Sequence, residues 1–284
     1  MKTLSSSRRS FLALSGLGFA GVALGQSRPP VTKPKATSGD KVAEPDWEKR
    51  LTITVGPKKA DLVGANEKVL QAAVDYMAAM GGGTVRVLPG EYRLRNAVHL
   101  RSKVRLLGSG KETVLKKEPS VSVKLADDSD WYDQEITLAD GKGFAVGDGI
   151  CLQAKNPHNG GATVIKRTLV ARSGNRFKLN AGLRKNLWLS GNPTCSTLFP
   201  ILNCEHAEHV AIENLTLDGN RANNANLDGN YAGCIFAQDC SWLTFRGVEA
   251  RNYNGDGFSW QICHDVVVEG CHSHGHAGLG LHPG

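Results

Sequence analysis

Four histidines crowd together near the C-terminal end of the 284-residue chain, in the segment "CHSHGHAGLGLH". His272, His274 and His276 are spaced by two, so in an extended segment they lie on one side and are candidates for transition-metal binding. No cysteine pair or Glu-x-x-His motif accompanies them, so the sequence assigns no metal ligands. His282 is the better candidate for acid–base chemistry, because the repeat described next places it on a strand face near Asp256, and imidazole can give or take a proton near neutral pH.

An internal repeat predicts where these histidines lie. Shifting the chain so that Cys240 falls on Cys263 places "LTFRGVEARNYNGDGFS" on "VVVEGCHSHGHAGLGLH". A partial copy, "VAIENLTLDGN", precedes them at a larger displacement, because an insertion follows it. The alignment places His272, His274 and His276 in a connection between two strands. It sets His282 opposite Ser259, pointing outward and near Asp256.

The first folded segment is predicted to be a helix followed by strands. In "ANEKVLQAAVDYMAAMGGGTVRVLPGEYRL", Asn66 is a suitable N-cap, apolar residues recur at helical spacing, and three glycines end the helix. The "TVRVL" that follows alternates as a strand does. Short strands that recur at the Cys240-to-Cys263 spacing suit a β-solenoid, because each coil buries its apolar face only against its neighbours.

The run from Ala65 to Leu115 resembles the opening of pectate-lyase-like proteins, the superfamily that contains rhamnogalacturonases, polygalacturonases and uronan epimerases. This resemblance implies an all-β fold: a right-handed single-stranded parallel β-helix with an N-terminal capping α-helix. It is specific for the fold and weak for the reaction, because this fold carries many chemistries. Residues 126–201 lack the coil spacing and are predicted to form an antiparallel β insertion. Its segment "KNPHNGG" is either a binding loop or a plain surface loop.

The resemblance also suggests which chemistry to look for. Enzymes of the superfamily act on extended polysaccharides, with paired carboxylates or with a base that removes the proton beside a uronate carboxyl group. "NGDG" resembles the polygalacturonase motif N-T-D-G, which implies that Asp256 is catalytic and that Asn254 contacts substrate. The next coil has Ala277, Gly278 and Leu279 where partner aspartates are expected, which weakens the case for a two-carboxylate hydrolase. The acidic motif of a uronan epimerase is also missing, because "LHPG" stands where such enzymes carry an Asp and a His around the Pro.

The insertion in the repeat, within "LDGNRANNANLDGNYAG", supplies a second set of candidates. Asp228 is predicted to be catalytic, and Arg221 to bind the carboxylate of a uronate. Asp218 and Asp228 are also candidate Ca²⁺ ligands, the one cofactor that the sequence suggests. The alternative is a loop whose Asn and Asp residues serve turn conformations. The predicted substrate-binding residues are Asp218, Asn220, Arg221, Asn230 and Asn254.

The N-terminal segment predicts export. Arg8 and Arg9 precede a short apolar run, so residues 1–25 are interpreted as a twin-arginine signal peptide. This interpretation implies a contact with the twin-arginine export machinery, a periplasmic or extracellular location and no membrane anchor after cleavage. Residues 26–48 are predicted to be a disordered linker, and residues 49–284 the β-helix domain. Few coils precede the last residue, so we expect a fragment of a longer reading frame, or an oligomer that covers the last coil.

Composition narrows the function further. The formal charge of +7 is compatible with an acidic substrate, and no basic stripe with interleaved aromatic residues predicts nucleic-acid binding. The seven cysteines lie in or beside apolar runs, which favours buried free thiols over disulfides. The sequence therefore predicts an exported protein that acts on an acidic polysaccharide by lyase or glycoside-hydrolase chemistry. The alternatives are a non-catalytic β-helix that binds glycan or serves as a surface scaffold, and a uronan epimerase.

Overall fold

The computed structural model describes residues 43–284, and within them it contains one α-helix, α1 (Glu67–Ala79), and 23 strands. In chain order the strands are β1 (Thr52–Gly56), β2 (Leu62–Val63), β3 (Gly83–Val87), β4 (Gly90–Leu94), β5 (Val98–His99), β6 (Val104–Leu107), β7 (Thr113–Lys117), β8 (Ser122–Lys124), β9 (Glu135–Thr137), β10 (Gly149–Lys155), β11 (Ala162–Ser173), β12 (Arg176–Leu179), β13 (Thr194–Ser196), β14 (Leu202–Glu205), β15 (Glu208–Glu213), β16 (Thr216–Asp218), β17 (Gly233–Gln238), β18 (Ser241–Arg246), β19 (Glu249–Arg251), β20 (Asp256–Gln261), β21 (His264–Glu269), β22 (His272–His274) and β23 (Leu281–Pro283). Short 3₁₀ turns occupy Trp47–Lys49, Gly110–Glu112, Leu189–Gly191 and Arg221–Asn223. In this part of the chain, no helix combines the length and apolar character that crossing a membrane requires.

Three parallel sheets form the body of the structure. Sheet A has the order β2-β1-β3-β6-β15-β18-β21, sheet B the order β4-β7-β16-β19-β22, and sheet C the order β5-β14-β17-β20-β23. From β14 onward the chain visits sheets C, A and B in turn and then begins the next coil. This succession of coils is a parallel β-helix.

The strand register follows the sequence repeat. Leu243 pairs with Val266 and Phe258 with Leu281, both at the shift that sets Cys240 on Cys263, while Val210 pairs with Leu243 across the insertion. Inward side chains therefore stack in columns, as Ile235 and Phe258 do in sheet C. The rings of Phe245 in sheet A and Phe258 in sheet C also stack, 5.9 Å apart, so this contact crosses the interior between sheets. The predicted alignment of the coils is confirmed by this pairing.

Helix α1 begins and ends where the sequence predicts. The Asn66 side chain accepts hydrogen bonds from the amides of Lys68 and Val69, at 3.1 and 3.3 Å. Its apolar face, formed by Leu70, Ala73, Val74 and Met77, is fully buried and contacts β1 and β3. After the helix, Gly82 has φ +103°, and a Cβ there would lie 2.2 Å from the carbonyl oxygen of Lys103. Only glycine fits this turn without strain.

Residues 43–48 are packed against sheet A, although the sequence predicts that the linker extends to residue 48. Trp47 is buried, and the Glu44 carboxylate accepts hydrogen bonds from Thr244 at 2.8 Å and from Arg246 at 3.0 Å. One aromatic side chain and one well-paired acid hold a segment whose composition alone suggests disorder. The predicted signal peptide and the linker up to residue 42 lie outside the described residues.

The predicted insertion contains a six-stranded antiparallel sheet with the order β8-β13-β10-β11-β12-β9. Its strands run from Ser122 to Ser196, so the sheet begins shortly before the predicted boundary at 126. It has its own apolar core, which includes Phe144 and Phe177. An ion pair of 2.6 Å between Arg95 and Asp148 joins the insertion to the coils.

None of the seven cysteines, which all lie within residues 43–284, forms a disulfide bond, and all except Cys271 are buried. The sulfur atoms of Cys204 and Cys240 lie 3.6 Å apart. The thiols serve as small apolar side chains inside the coils.

Removing one inward ring tests the stacking of the coils. We expect Phe258→Ala to lower the free energy of unfolding by about 3–5 kcal/mol, because a fully buried ring is lost and a cavity remains. Urea denaturation measures the change. Tyr132→Ala, at a side chain that is 83% exposed, is the control and should change stability by less than about 0.5 kcal/mol. A comparable loss in both variants would contradict the role of the Phe258 column.

Candidate functional site

Asp256 and His282 form a hydrogen-bonded pair at one edge of sheet C. Asp256 is the first residue of β20, and its Oδ2 lies 2.7 Å from Nδ1 of His282, on the neighbouring strand β23. The other carboxylate oxygen, Oδ1, accepts a hydrogen bond of 2.7 Å from the amide of Leu279. Register pairing sets His282 opposite Ser259, as the repeat predicts. The carboxylate fixes the imidazole with Nδ1 as donor, so Nε2 is the nitrogen with a free lone pair.

Two glycines allow the backbone to approach the Asp256 carboxylate from both sides. A Cβ at Gly229 would lie 1.7 Å from Oδ2, and a Cβ at Gly278 would lie 2.2 Å from Oδ1. Any larger residue at either position would therefore displace the carboxylate. Asp256 is 3% exposed, whereas the His282 side chain is 24% exposed. The acid is thus enclosed, and the imidazole faces the solvent.

The pair lies in the wall of an open pocket of about 320 Å³. Asp228 lies across from it on the inserted loop, where its Oδ1 accepts hydrogen bonds of 2.8 Å from both the amide and the side chain of Asn230. The lining residues are Asn226, Leu227, Asp228, Gly229, Asn230, Asn254, Gly255, Asp256, Ala277, Gly278, Leu279 and His282. The structure therefore brings together all three predicted catalytic residues, Asp228, Asp256 and His282.

A second, more open pocket of about 780 Å³ shares Asn226 and Asn254 with the first. The predicted substrate-binding residues Asp218, Asn220 and Arg221 line it. The two pockets adjoin at Asn226 and Asn254 and form a groove beside the turn that connects sheets B and C, lined mostly by Asn, Asp and Gly residues. A groove of this form suits an extended chain better than a small compact ligand.

Several of the predicted binding residues already have protein partners. Asp218 forms a 3.0 Å ion pair with Arg251, so its carboxylate is neutralised. One guanidinium nitrogen of Arg221 donates to the carbonyl oxygens of Gly275 and His276, each at 3.0 Å. The other two nitrogens of Arg221 make no hydrogen bond within residues 43–284 and remain open to a ligand.

Asn254 and Asn220 hold the inserted loop. The buried Asn254 side chain donates to the carbonyl oxygens of Arg221 and Asn224, and Asn220 donates to the Lys117 carbonyl oxygen at 3.0 Å. Both contacts belong to the architecture of the loop, which then positions Asp228.

Two of the other three histidines of the C-terminal segment, His272 and His274, lie differently from the prediction, whereas His276 lies in a turn as predicted. His272 and His274 belong to β22, a strand of sheet B, rather than to a connection between strands. His276 lies in the turn that follows, where its Nδ1 accepts from the Tyr253 amide at 3.2 Å and its Nε2 lies 3.0 Å from the Ser273 hydroxyl group. Burial lowers the pKa of His276 to about 4, so this ring is a neutral structural element at neutral pH.

Lys117 is a buried cation beneath the groove that the sequence analysis missed. It is 2% exposed, and its Nζ donates to the Thr197 carbonyl oxygen at 2.9 Å and to Asn224 Oδ1 at 2.6 Å, above the ring of Phe199. Burial lowers the pKa of Lys117 to about 7. The sequence does contain an indication of this burial. Side chains alternate along β7, so an inward Leu115 places Lys117 on the same inward face.

The lowered pKa of Lys117 makes stability depend on pH. Between pH 7 and the ordinary lysine value of 10.5 the unfolded chain binds a proton that the folded chain does not, so stability rises with pH in this window. Relative to Lys117→Met, the wild-type free energy of unfolding should rise by up to about 1.4 kcal/mol per pH unit. Urea denaturation at several pH values measures this difference. A constant difference between the two proteins across the window would show that Lys117 titrates normally.

Comparison with known proteins gives only distant likenesses. No protein-family model matches the sequence, and neither does any curated protein. A mannuronan C-5 epimerase A-module from Azotobacter vinelandii is similar in structure, with 21% identity over 74% of this chain and 40% of that chain, and a TM-score of 0.43. An exopolygalacturonase from Thermotoga maritima has 12% identity over 81% of this chain and 48% of its own, with a TM-score of 0.43.

A tailspike of Acinetobacter baumannii bacteriophage AP22, solved in complex with capsular saccharide, is a third such structure, with 12% identity, coverage of 70% and 40%, and a TM-score of 0.29. The chain thus spans about half the length, or less, of these three solved structures. All three TM-scores lie below 0.5, and the β-helix architecture rests on the strand pairing of this chain itself.

Proposed function

We propose that this protein is a polysaccharide lyase that cleaves an acidic, uronate-containing glycan, with His282 as the catalytic base and Asp256 as its orienting partner. The observation that carries the proposal is the Asp256–His282 pair at the edge of an open polar groove. The resemblance of residues 65–115 to pectate-lyase-like proteins gives the substrate class. In this proposal the coils form a right-handed β-helix and α1 covers their N-terminal end.

The pair can carry out β-elimination in which the proton taken from the substrate is returned to the leaving group. Nε2 of His282 removes the proton at C5 of a uronate, a double bond forms between C4 and C5, and the bond from C4 to the glycosidic oxygen breaks. The imidazolium formed, stabilised by the adjacent Asp256 carboxylate, returns the proton to the departing oxygen. Arg221 lines the adjoining pocket, and two of its guanidinium nitrogens have no hydrogen bond within residues 43–284, so it is the candidate to neutralise a uronate carboxylate in the groove.

Hydrolysis by two carboxylates fits the pocket less well. Such a mechanism needs one carboxyl group to give a proton and another to activate water or attack the sugar. Both oxygens of Asp256 are engaged, by His282 and by the Leu279 amide. Asp228 is the only other acid among the residues lining this pocket, and one of its oxygens already accepts two hydrogen bonds from Asn230. A Ca²⁺ ion bound jointly by Asp218 and Asp228 is also disfavoured, because Asp218 is paired with Arg251 and lines the other pocket.

The activity test uses alginate, polygalacturonate and rhamnogalacturonan, with a neutral glucan as control. We expect ultraviolet-absorbing unsaturated products from at least one acidic glycan. His282→Ala should lower kcat by about 10²–10⁴-fold, the usual contribution of a positioned base. Asp256→Asn should lower kcat as well, because it removes the charge that orients the ring. His264→Ala, at an exposed histidine on sheet A, is the matched control and should retain full turnover.

Other outcomes contradict the proposal in distinct ways. New reducing ends without unsaturation would identify a hydrolase. Altered uronate composition without cleavage would identify an epimerase, which shares the proton-abstraction step. Retention on the glycan without any turnover would identify a binding or scaffold protein. Full activity of His282→Ala would refute the assignment of the base.

We also propose that the protein is exported through the twin-arginine pathway and works in the periplasm or outside the cell. Arg8 and Arg9 precede the short apolar run that this pathway reads. Replacing both by lysine should retain the protein in the cytoplasm, as measured by cell fractionation. Lys2→Arg, which keeps the N-terminal charge, is the control and should be exported normally. Unchanged export of the double variant would rule out this route.

A further inference from the structure

The outward face of sheet B brings two histidines and one glutamate together, away from the groove. Glu249 begins β19, His272 begins β22, and the two residues pair directly in the strand register. His274 follows two residues later on the same face of β22. The Nε2 of His274 lies 3.1 Å from Oε1 of Glu249, and the two imidazole rings stack at 4.3 Å.

The spacing of these side chains suits a metal ion. One donor atom from each residue lies within 4.8 Å of the donor atoms of the other two. Within residues 43–284, no other group of three or more His, Cys, Asp or Glu residues has its donor atoms within this distance of one another. Two ligands of a tetrahedral Zn²⁺, at bond lengths of about 2.0–2.2 Å, lie about 3.3 Å apart. The 3.1 Å between His274 and Glu249 is close to that separation.

The carboxylate of Glu249 is held in place from its other side. Its Oε2 accepts a hydrogen bond of 3.4 Å from the Thr216 hydroxyl group, which orients the acid towards the histidines. Arg251 is a competing cation, with Nη1 at 3.5 Å from Oε1 of Glu249. The shorter contact of Arg251, at 3.0 Å, goes to Asp218, so the guanidinium can keep that partner when a metal occupies the cluster.

We propose that Glu249, His272 and His274 form a binding site for a divalent transition-metal ion, with Zn²⁺ as the best-fitting ion. Two imidazoles and one carboxylate favour zinc and its neighbours over Ca²⁺ or Mg²⁺, which prefer oxygen ligands. Three protein ligands leave one coordination position open for water. The ion would join β19 to β22 and so link two successive coils. The site shares no residue with the groove, and it stands independently of the proposed lyase activity.

The test measures Zn²⁺ binding to the full chain without an affinity tag, after treatment with a chelator. Calorimetry should show one Zn²⁺ per chain, and Glu249→Gln, His272→Ala and His274→Ala should each weaken binding at least about tenfold. His206→Ala is the matched control. His206 forms a 2.8 Å pair with Asp239 on the surface without a third ligand, so this variant should bind Zn²⁺ as the wild type does.

Two further measurements test whether a variant loses binding because it misfolds, and whether Zn²⁺ binds to the cysteine thiols instead. Zn²⁺ should raise the melting temperature of the wild type but not of the three ligand variants, because an ion that binds only the folded state stabilises it. Co²⁺ should give a visible spectrum without a thiolate charge-transfer band. The proposal is overturned if Zn²⁺ does not bind, if binding survives all three substitutions, or if a cobalt–thiolate band identifies cysteine as the ligand.

Discussion

Parallel hydrogen bonding between successive coils holds each residue beside its counterpart one turn earlier, and the two candidate sites depend on this register. His282 lies on sheet C because it pairs with Ser259, and His272 meets Glu249 because these two residues are partners in sheet B. A slip of one residue would turn every outward side chain of a strand into the core. The buried columns of Leu243 with Val266 and of Ile235 with Phe258 make such a slip costly, because each side chain would lose its apolar environment. The packing of the core therefore sets the geometry of the surface chemistry.

A buried carboxylate must find compensation for its lost hydration, and Asp256 finds it locally. The Leu279 amide satisfies one oxygen and the His282 ring the other. The same enclosure explains Gly229 and Gly278, since a side chain at either position would occupy the space of the carboxylate. The result is an enclosed acid and a partly exposed imidazole with one free nitrogen. This division of roles suits a base that is oriented by an acid better than it suits two equivalent acids.

The period of the sequence predicts the columns well, because stacking identical coils repeats the same inward and outward pattern. The pairing of His282 with Ser259 follows from that period alone, and the N-cap of α1 follows from local chemistry at Asn66. The contacts of the inserted loop do not follow, since they depend on turn geometry and on long-range partners: Arg251 for Asp218, and Lys117 for Asn224. Composition likewise misplaces the linker boundary, because the burial of Trp47 outweighs the polar residues around it. The shift that sets Cys240 on Cys263 also sets His272 opposite Glu249, so the sequence predicts this pairing even though it does not predict that β22 is a strand.

The coils differ most in the turn between sheets B and C. This turn shapes the groove, whereas the strands hold the Asp256–His282 pair. Residues 219–232 connect β16 to β17, whereas residues 252–255 make the equivalent connection one coil later. The longer turn carries Arg221 and Asp228 and forms one side of the groove, while Asp256 and His282 lie on strands fixed by the register. Changing the longer turn at positions other than Gly229, whose backbone lies against the Asp256 carboxylate, would therefore alter the shape of the groove while leaving the Asp256–His282 pair in place. Substitutions in the strand columns would disrupt both the groove and the Asp256–His282 pair, because the strands form the other side of the groove and carry the pair.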